Sequence, residues 1–495
     1  MTRRILEGEP ARRAIVRGAG QLARIVGLTL GPRGRTVLVD HGIAGPAITN
    51  DGAAVAREVE LADPFENLGA RLVREAARKT YDEAGDGTST ATVLAHAIVR
   101  HACVRIAQGA SPERVRRGVE HAARAASGHL RAQARPLSTR EERLAVAALG
   151  AAGDLETARR VEQALDGAHA VSVRAAHART TRVVVARGAA FDRGWLSPYF
   201  VTDPEEMRAV LDGPLVLLAD QRLERAEEIA PALELAQAQG APLLVVAEDV
   251  EGEALQTLVV NQLRGVARSC AVQAPGTREK RRALLESLAS ACGATLHAPD
   301  LGRAPERAGL GDLGRLERAL VERGHALLVC AGDASEGARV ALIEIGGDDE
   351  PAIERARALH EDALARLSAA LAEGIVTGGG IALLRARDAA LSLPLEGDAK
   401  AGAEAFALAL PEPTRWIAQN AGADGDQVIA RLARASGSTG FDAALGEVVD
   451  LARAGIVDPA RVVRSALENA ASVAGMMLAT ETLVVEDESP PESAR

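Results

Sequence analysis

The residues best suited to chemistry lie at glycine-bracketed turns. Gly85–Ala95 reads GDGTSTATVLA: an aspartate between two glycines, three hydroxyl side chains, then an apolar stretch at helical spacing. Similar turns occur at Thr29–Arg35 (TLGPRGR), Thr49–Gly52 (TNDG) and Thr377–Gly380 (TGGG). Glycine lets backbone N–H groups approach a ligand closely. A helix N-terminus adds unpaired donors and partial positive charge, which suits phosphate. An acid such as Asp86 among phosphate-binding groups calls for a cation between them, so this turn suits Mg²⁺ bridging a carboxylate and phosphate oxygens. The same residues also suit an ordinary helix start capped by Ser, Thr or Asp. The stretch alone leaves both readings open.

Other site chemistries find no support in the sequence. No Gly-Lys pair exists, which removes GxxxxGK[ST], and GDGTST lacks the third glycine of GxGxxG. There is no HExxH, and the ten histidines show no ligand spacing. Cys103, Cys270, Cys292 and Cys330 form no CxxC pair and read as small apolar core residues in a reducing compartment. A net charge of −10 and a pI near 5.6 argue against a nucleic-acid partner. MTRRILEGEP lacks the apolar core of a secretory signal. Runs such as PLLVVA are too short to span a bilayer. The expectation is a cytoplasmic protein with no membrane partner.

These turns must be held by larger elements. A length of 495 residues suggests two or three domains, and with 2% aromatics their cores must rest on Ala, Leu, Val and Ile. Residues 11–132 carry apolar positions at helical spacing; in ATVLAHAIVRHACVRIA these include Val93, Leu94, Ala97, Ile98 and Ala102. Residues 373–480 read alike, with a long helix started by Asp458-Pro459. Between them, strand-like runs (PLVLLAD, PLLVVAEDV, ATLHAP, HALLVCAG) alternate with helical stretches such as AEEIAPALELAQAQG. That pattern predicts an α/β domain inserted into an α-helical one. The acidic tail EDESPPESAR reads as disordered.

Taken in order, LTLGPRGRTVLVD, ITNDGAAVAREVEL, FENLGARLVREAA, AGDGTSTATVLA, FDRGWLSPYF, AEDVEGEALQTLVVNQLRG, EGIVTGGGIALL and GIVDPARVVRSALENAASVAGMML resemble the group I chaperonins, the GroEL type, from about residue 10 to about residue 485. The resemblance implies a multi-domain fold. A discontinuous all-α equatorial ATP-binding domain would comprise residues 1–132 and 373–495. A small α/β intermediate domain would comprise 133–186 and 340–372, and an inserted α/β apical domain 187–339. It further implies an ATP-dependent chaperone that encapsulates, folds and releases non-native polypeptides. Its partners would be a GroES-type co-chaperonin lid and copies of itself, in a heptameric ring that commonly stacks as a double ring. A specialised paralogue that binds or scaffolds polypeptides without a full folding cycle is the alternative.

By the same resemblance, ATP binds Thr29, Leu30, Gly31, Pro32, Asp86, Gly87, Thr88, Ser89, Thr90, Gly379, Asp442, Ala443, Ala444 and Asp458. Asp86 coordinates Mg²⁺, and K⁺ is a further candidate ion. Asp51 and Asp362 orient or activate the attacking water; two acids and a metal suffice where catalysis is mostly positioning and charge neutralisation. Read alone, Asp362 in LHEDALARLSAALAEG is a solvated charge on an amphipathic helix. Polypeptide binding falls to Trp195, Tyr199, Phe200, Leu233, Leu255, Val259 and Val260, although Leu255, Val259 and Val260 would equally suit a buried helix face.

The sequence departs from the family pattern in several places. Asn50 stands where a lysine is usual, and Asp442 where an asparagine is. Only DASEGA separates HALLVCAG from RVALIEIGG, where a helical hairpin is expected. Gly188 matches the first upper-hinge glycine but Arg339 replaces the second, while Pro136 and Gly374 match the lower hinge. Ala230 replaces a groove leucine, a side chain worth roughly 1.5–3 kcal/mol when buried. The usual Gly/Met-rich tail is replaced by the acidic one.

Overall fold

The computed structural model describes residues 3–40, 46–168, 170–175, 179–191, 193–204, 207–330 and 339–486. DASEGA and the acidic tail beyond Glu486 lie outside the described residues. The chain divides into two compact units, one of Met1–Ala158 with Glu361–Arg495, the other of Arg159–His360.

The first unit rests on long helices, chiefly Gly8–Gly27, Pro64–Ala84, Thr88–Ala107, Pro112–Gln133, Ile381–Leu391, Gly397–Ala409 and Ala460–Ala479. Its core is small-residue packing: Ala14, Ala19, Ala70, Ala95, Ala126, Ala405, Ala470 and their neighbours interleave with Ile15, Leu22, Leu94, Ile98 and Phe406. Two crossings require glycine. A methyl at Gly18 would meet the Glu66 carbonyl at 1.7 Å and one at Gly69 the Ile15 carbonyl at 2.3 Å. Gly118 and Gly402 make the same reciprocal contact between Pro112–Gln133 and Gly397–Ala409. Close backbone approach thus replaces the bulk that aromatic residues usually supply.

This unit is not all-α as expected. Four antiparallel two-stranded ribbons join it: Arg3–Glu7 with Thr482–Glu486, Val37–Asp40 with Pro46–Thr49, Ile375–Thr377 with Val457–Pro459, and Thr439–Asp442 with Glu447–Asp450. Strands of three to five residues carry too little alternation to register as a pattern. The expected helix start at Asp458-Pro459 also shifts. Asp458 pairs with Val376 in a ribbon, Pro459 is the N-cap, and the helix begins at Ala460.

The second unit is built on one ten-stranded mixed sheet. Leu215–Leu223, Leu243–Val250 and Ser269–Gln273 run parallel, linked by the helices Ala230–Ala238 and Gly252–Leu263. This is the predicted strand–helix rhythm, and its strands are buried along most of their length as parallel strands must be. ATLHAP contributes only the two-residue strand Leu296–His297. The expected boundaries at 186/187 and 339/340 fall within or at the edge of the strands Arg182–Phe191 and Arg339–Ile345 of this same sheet.

Candidate functional site

Within the first unit, the glycine-edged turns from both chain ends converge. The first follows the helix Gly8–Gly27. Thr29 Oγ1 donates to the Val26 carbonyl at 2.8 Å, and Gly34 N–H to that of Gly31 at 2.9 Å. Asn420 Nδ2 donates to the carbonyls of Gly27 and Leu30, both at 2.8 Å, and fixes the turn from across the unit. A Cβ at Gly52 would lie 2.0 Å from Ser89 Oγ and 3.0 Å from Thr29 Oγ1, so three separate turns meet around Gly52. Arg33 donates to the Ala444 carbonyl at 2.6 Å, tying the first turn to the Asp442–Ala444 segment.

The two readings of the acid-bearing turns now separate. Asp51 is a helix cap: its carboxylate accepts from Ala53 and Ala54 N–H, both at 2.9 Å, at the start of Gly52–Glu58. Asp86 is not. Gly85 closes one helix and Gly87 opens the next, both at positive φ (68° and 88°), which a side chain would resist. Gly87 leaves the Thr88–Ala107 helix without a side-chain cap. The first N–H groups of that helix, at Thr88, Ser89 and Thr90, therefore have neither an intrahelical partner nor a cap. Asp86 Oδ1 accepts from Gly87 N–H at 2.6 Å, while Oδ2 pairs with Arg366.

The glycine triplet completes the arrangement. Gly378 N–H donates to the Ile456 carbonyl at 3.1 Å, and a Cβ at Gly379 would sit 3.8 Å from the Phe441 carbonyl. This places Gly379 beside the strands that carry Asp442 and Asp458. Asp442 is spent on its own turn, accepting from Ala444 N–H at 2.8 Å and Leu445 N–H at 3.2 Å, and Ala443 is buried. Leu30 is half-buried, and Gly31 and Pro32 are exposed on the first turn.

Residues 361–373 end the helix Glu350–Glu373 and bring Asp362 and Arg366 to the same place. A Cβ at Gly85 would lie 2.3 Å from that of Ala365. Arg464 grips Glu373 bidentately at 2.6 and 2.8 Å. Charge is crowded here. Burial, with Asp86, Asp51 and Glu361 adding to it, pushes the Asp362 carboxyl up to about 6 despite Arg366. Burial also raises Asp458, with Arg366 opposing and Asp86 adding. It would raise Asp86 as well, but Arg366 and the Gly87 N–H outweigh it and hold that carboxyl low. The Tyr81 hydroxyl is pushed up by burial and then by Asp362, Glu361 and Asp51.

The donor set fits Mg²⁺. Carboxylates in excess of cations are the hard ligands it prefers. Among the described residues no three His, Cys, Asp or Glu side chains form a ready cage. Mg²⁺ commonly takes one or two carboxylates and completes its shell with phosphate and water. Sequence reasoning missed Arg366, Tyr81, Asn420 and Arg33. Only Arg366 carried a signal, lying four residues beyond Asp362, and such pairs usually mark a solvated face.

In the second unit, Tyr199 is 59% exposed and Val260 42%, while Trp195, Leu255 and Val259 are half-buried. Two of the residues expected to bind polypeptide do not reach the surface. Phe200 is fully buried in the core beneath the Pro198–Phe200 turn, and Leu233, 7% exposed, lies on the inward face of its helix. Leu263 and Val266, at and just past the end of the same helix, are also exposed, 63% and 45%. Among the described residues no helix is long and apolar enough to cross a membrane.

The pattern that defines the TCP-1/cpn60 chaperonin family matches residues 22–488. The chain is 41% identical over 525 residues to Chaperonin GroEL 5 of Bradyrhizobium diazoefficiens, covering 99% of this chain and 97% of that protein.

Proposed function

The chain belongs to the TCP-1/cpn60 chaperonin family, as a group I chaperonin, and from that premise we propose an ATP-driven folding cycle run by the site above. The observation that carries this reading is the convergence of Thr29, Gly52, Asp86–Thr90, Asp362, Gly379 and Asp458 from both ends of the chain. The uncapped N–H groups of Thr88, Ser89 and Thr90 would receive phosphate oxygens. The turn Thr29–Pro32 would flank the nucleotide, with Gly379, the Asp442–Ala444 segment and Asp458 toward its base and ribose. Asp86 would hold Mg²⁺, which when bound supplies positive charge against the phosphates. Asp51 and Asp362 would orient the attacking water, with Asp362 accepting its proton.

Asp362 sits on a helix whose chain continues into the second unit, so hydrolysis would await movement of that helix, a gating role. Arg135 and Ile375 exchange backbone hydrogen bonds at 3.0 and 2.8 Å beside Gly374 and Pro136, which supports a lower hinge at that crossing. The three-domain division and assembly into a heptameric ring, single or double, with a GroES-type lid belong to the same proposal. Tyr199, Leu255, Val259, Val260, Leu263 and Val266 would bind non-native chains. An apolar strip rewards any exposed hydrophobe without demanding sequence.

The test is refolding of an aggregation-prone protein with ATP, with and without a co-chaperonin. ATP-dependent recovery supports the proposal. Suppressed aggregation without recovery favours a holding paralogue, and a monomer on sizing contradicts both.

A further inference from the structure

Arg366 is used by no step of the proposed cycle, yet it sits at the centre of the site's charge. Its guanidinium pairs with Asp86 Oδ2 and is also close enough to Asp458 and Asp362 to be stabilised by both. Carboxylates from three separate stretches of chain thus favour the charge of one arginine, with Asp86 in direct contact. Asp86 Oδ1 is already committed to its own turn. Oδ2 is the oxygen Arg366 holds, and a metal on that oxygen would have to displace the guanidinium. The Arg366 side chain is only 20% exposed. The close approach of Ala365 to Gly85 and the Arg464–Glu373 pair fix its backbone. An exchange at Asp86 would therefore be a side-chain movement.

Resting on the nucleotide site proposed above, we propose that Arg366 is an in-chain counter-charge, alternative to the divalent cation at Asp86. It holds Asp86 in the nucleotide-free protein, gives way when metal and nucleotide arrive, and remains near the phosphates. Two consequences follow from the charges. Without metal, Arg366 is what lets anionic phosphates enter among Asp86, Asp362 and Asp458. With metal, it competes for Oδ2. Arg366 thereby weakens the coupling between metal and nucleotide binding, a quantity defined by linkage.

The experiment is calorimetric titration of the full-length protein with ADP, in excess Mg²⁺ and in EDTA. The readout is the ratio of the two affinities for the wild type, Arg366→Ala and Arg366→Lys. In Arg366→Ala the EDTA affinity falls while the Mg²⁺ affinity holds or rises, so the ratio grows by about tenfold or more, within the range of ordinary coupling. Arg366→Lys restores most of the wild-type ratio. If both affinities fall together and the ratio stays within about twofold, Arg366 is only structural and the inference is overturned. Arg366→Gln serves the same comparison should the alanine variant melt early. A wild type that binds no ADP in either condition refutes the nucleotide site itself, a result distinct from an unchanged ratio.

Discussion

Replacing Asp362 with asparagine should stabilise the protein while it stops turnover. The carboxyl is raised from 3.8 to about 6 by burial and by Asp86, Asp51 and Glu361. A raised acid binds its proton more tightly in the folded chain than in the unfolded one, so ionisation opposes folding. The opposition is absent below about pH 4, develops as pH rises toward about 6, and is complete above that. Such a shift corresponds to ~3 kcal/mol at 1.36 kcal/mol per pH unit. The Asp362 side chain is nevertheless solvent-exposed, and screening by water reduces the figure to ~1 kcal/mol. Asp362→Asn keeps the shape and removes the charge. Denaturant unfolding of the nucleotide-free protein should show the variant more stable by that amount at pH 7.5 and equal to wild type at about pH 3. ATP turnover should fall by about two orders of magnitude, the usual scale for a lost general base, with ADP affinity nearly intact. Equal stability at pH 7.5, or an undiminished difference at about pH 3, would refute the electrostatic reasoning. Wild-type turnover would remove Asp362 from the reaction.

Three further outcomes are expected. Val259→Ser with Leu263→Ser should weaken capture of unfolded substrate in an aggregation assay while leaving ATPase activity unchanged; loss of both together would mark these as core residues. Asn420→Ala removes two donors at 2.8 Å from the first turn. It should cost ~1–2 kcal/mol by denaturant unfolding and weaken nucleotide binding by calorimetry. Gly52→Ala drives a methyl into Ser89 Oγ, which must rotate away. ADP affinity should drop about tenfold with the fold retained, the cost of a local steric shift, and an unchanged affinity would separate Gly52 from the site.

Much of this was legible in the residues. Long Ala- and Val-rich periodic stretches became the helices Thr88–Ala107 and Ala460–Ala479, and apolar runs between turn residues became the buried strands Leu215–Leu223 and Leu243–Val250. What escaped was short or ambiguous. The ribbon strands next to Asp51 and those bearing Asp442 and Asp458 span three or four residues, below the length at which alternation is visible. Phe200 and Leu233 were misplaced because an apolar residue looks the same whether it faces the core or solvent. Arg366 was overlooked because its partner Asp86 lies 280 residues away in sequence. Its visible neighbour, Asp362, suggests an ordinary surface pair. At GDGTST the glycine at the N-cap, Gly87, offers no side-chain cap, and Asp86 Oδ2 pairs with Arg366; neither feature is visible in the sequence.

The central claim is that these turns form one magnesium–nucleotide site. Its most direct test is calorimetric binding of ADP with Mg²⁺ to the wild type and to Asp86→Ala. The account expects saturable binding to the wild type that strengthens with Mg²⁺, and loss of that metal dependence in the variant. A wild type that retains no nucleotide, or an Asp86→Ala protein whose metal dependence is intact, would contradict it.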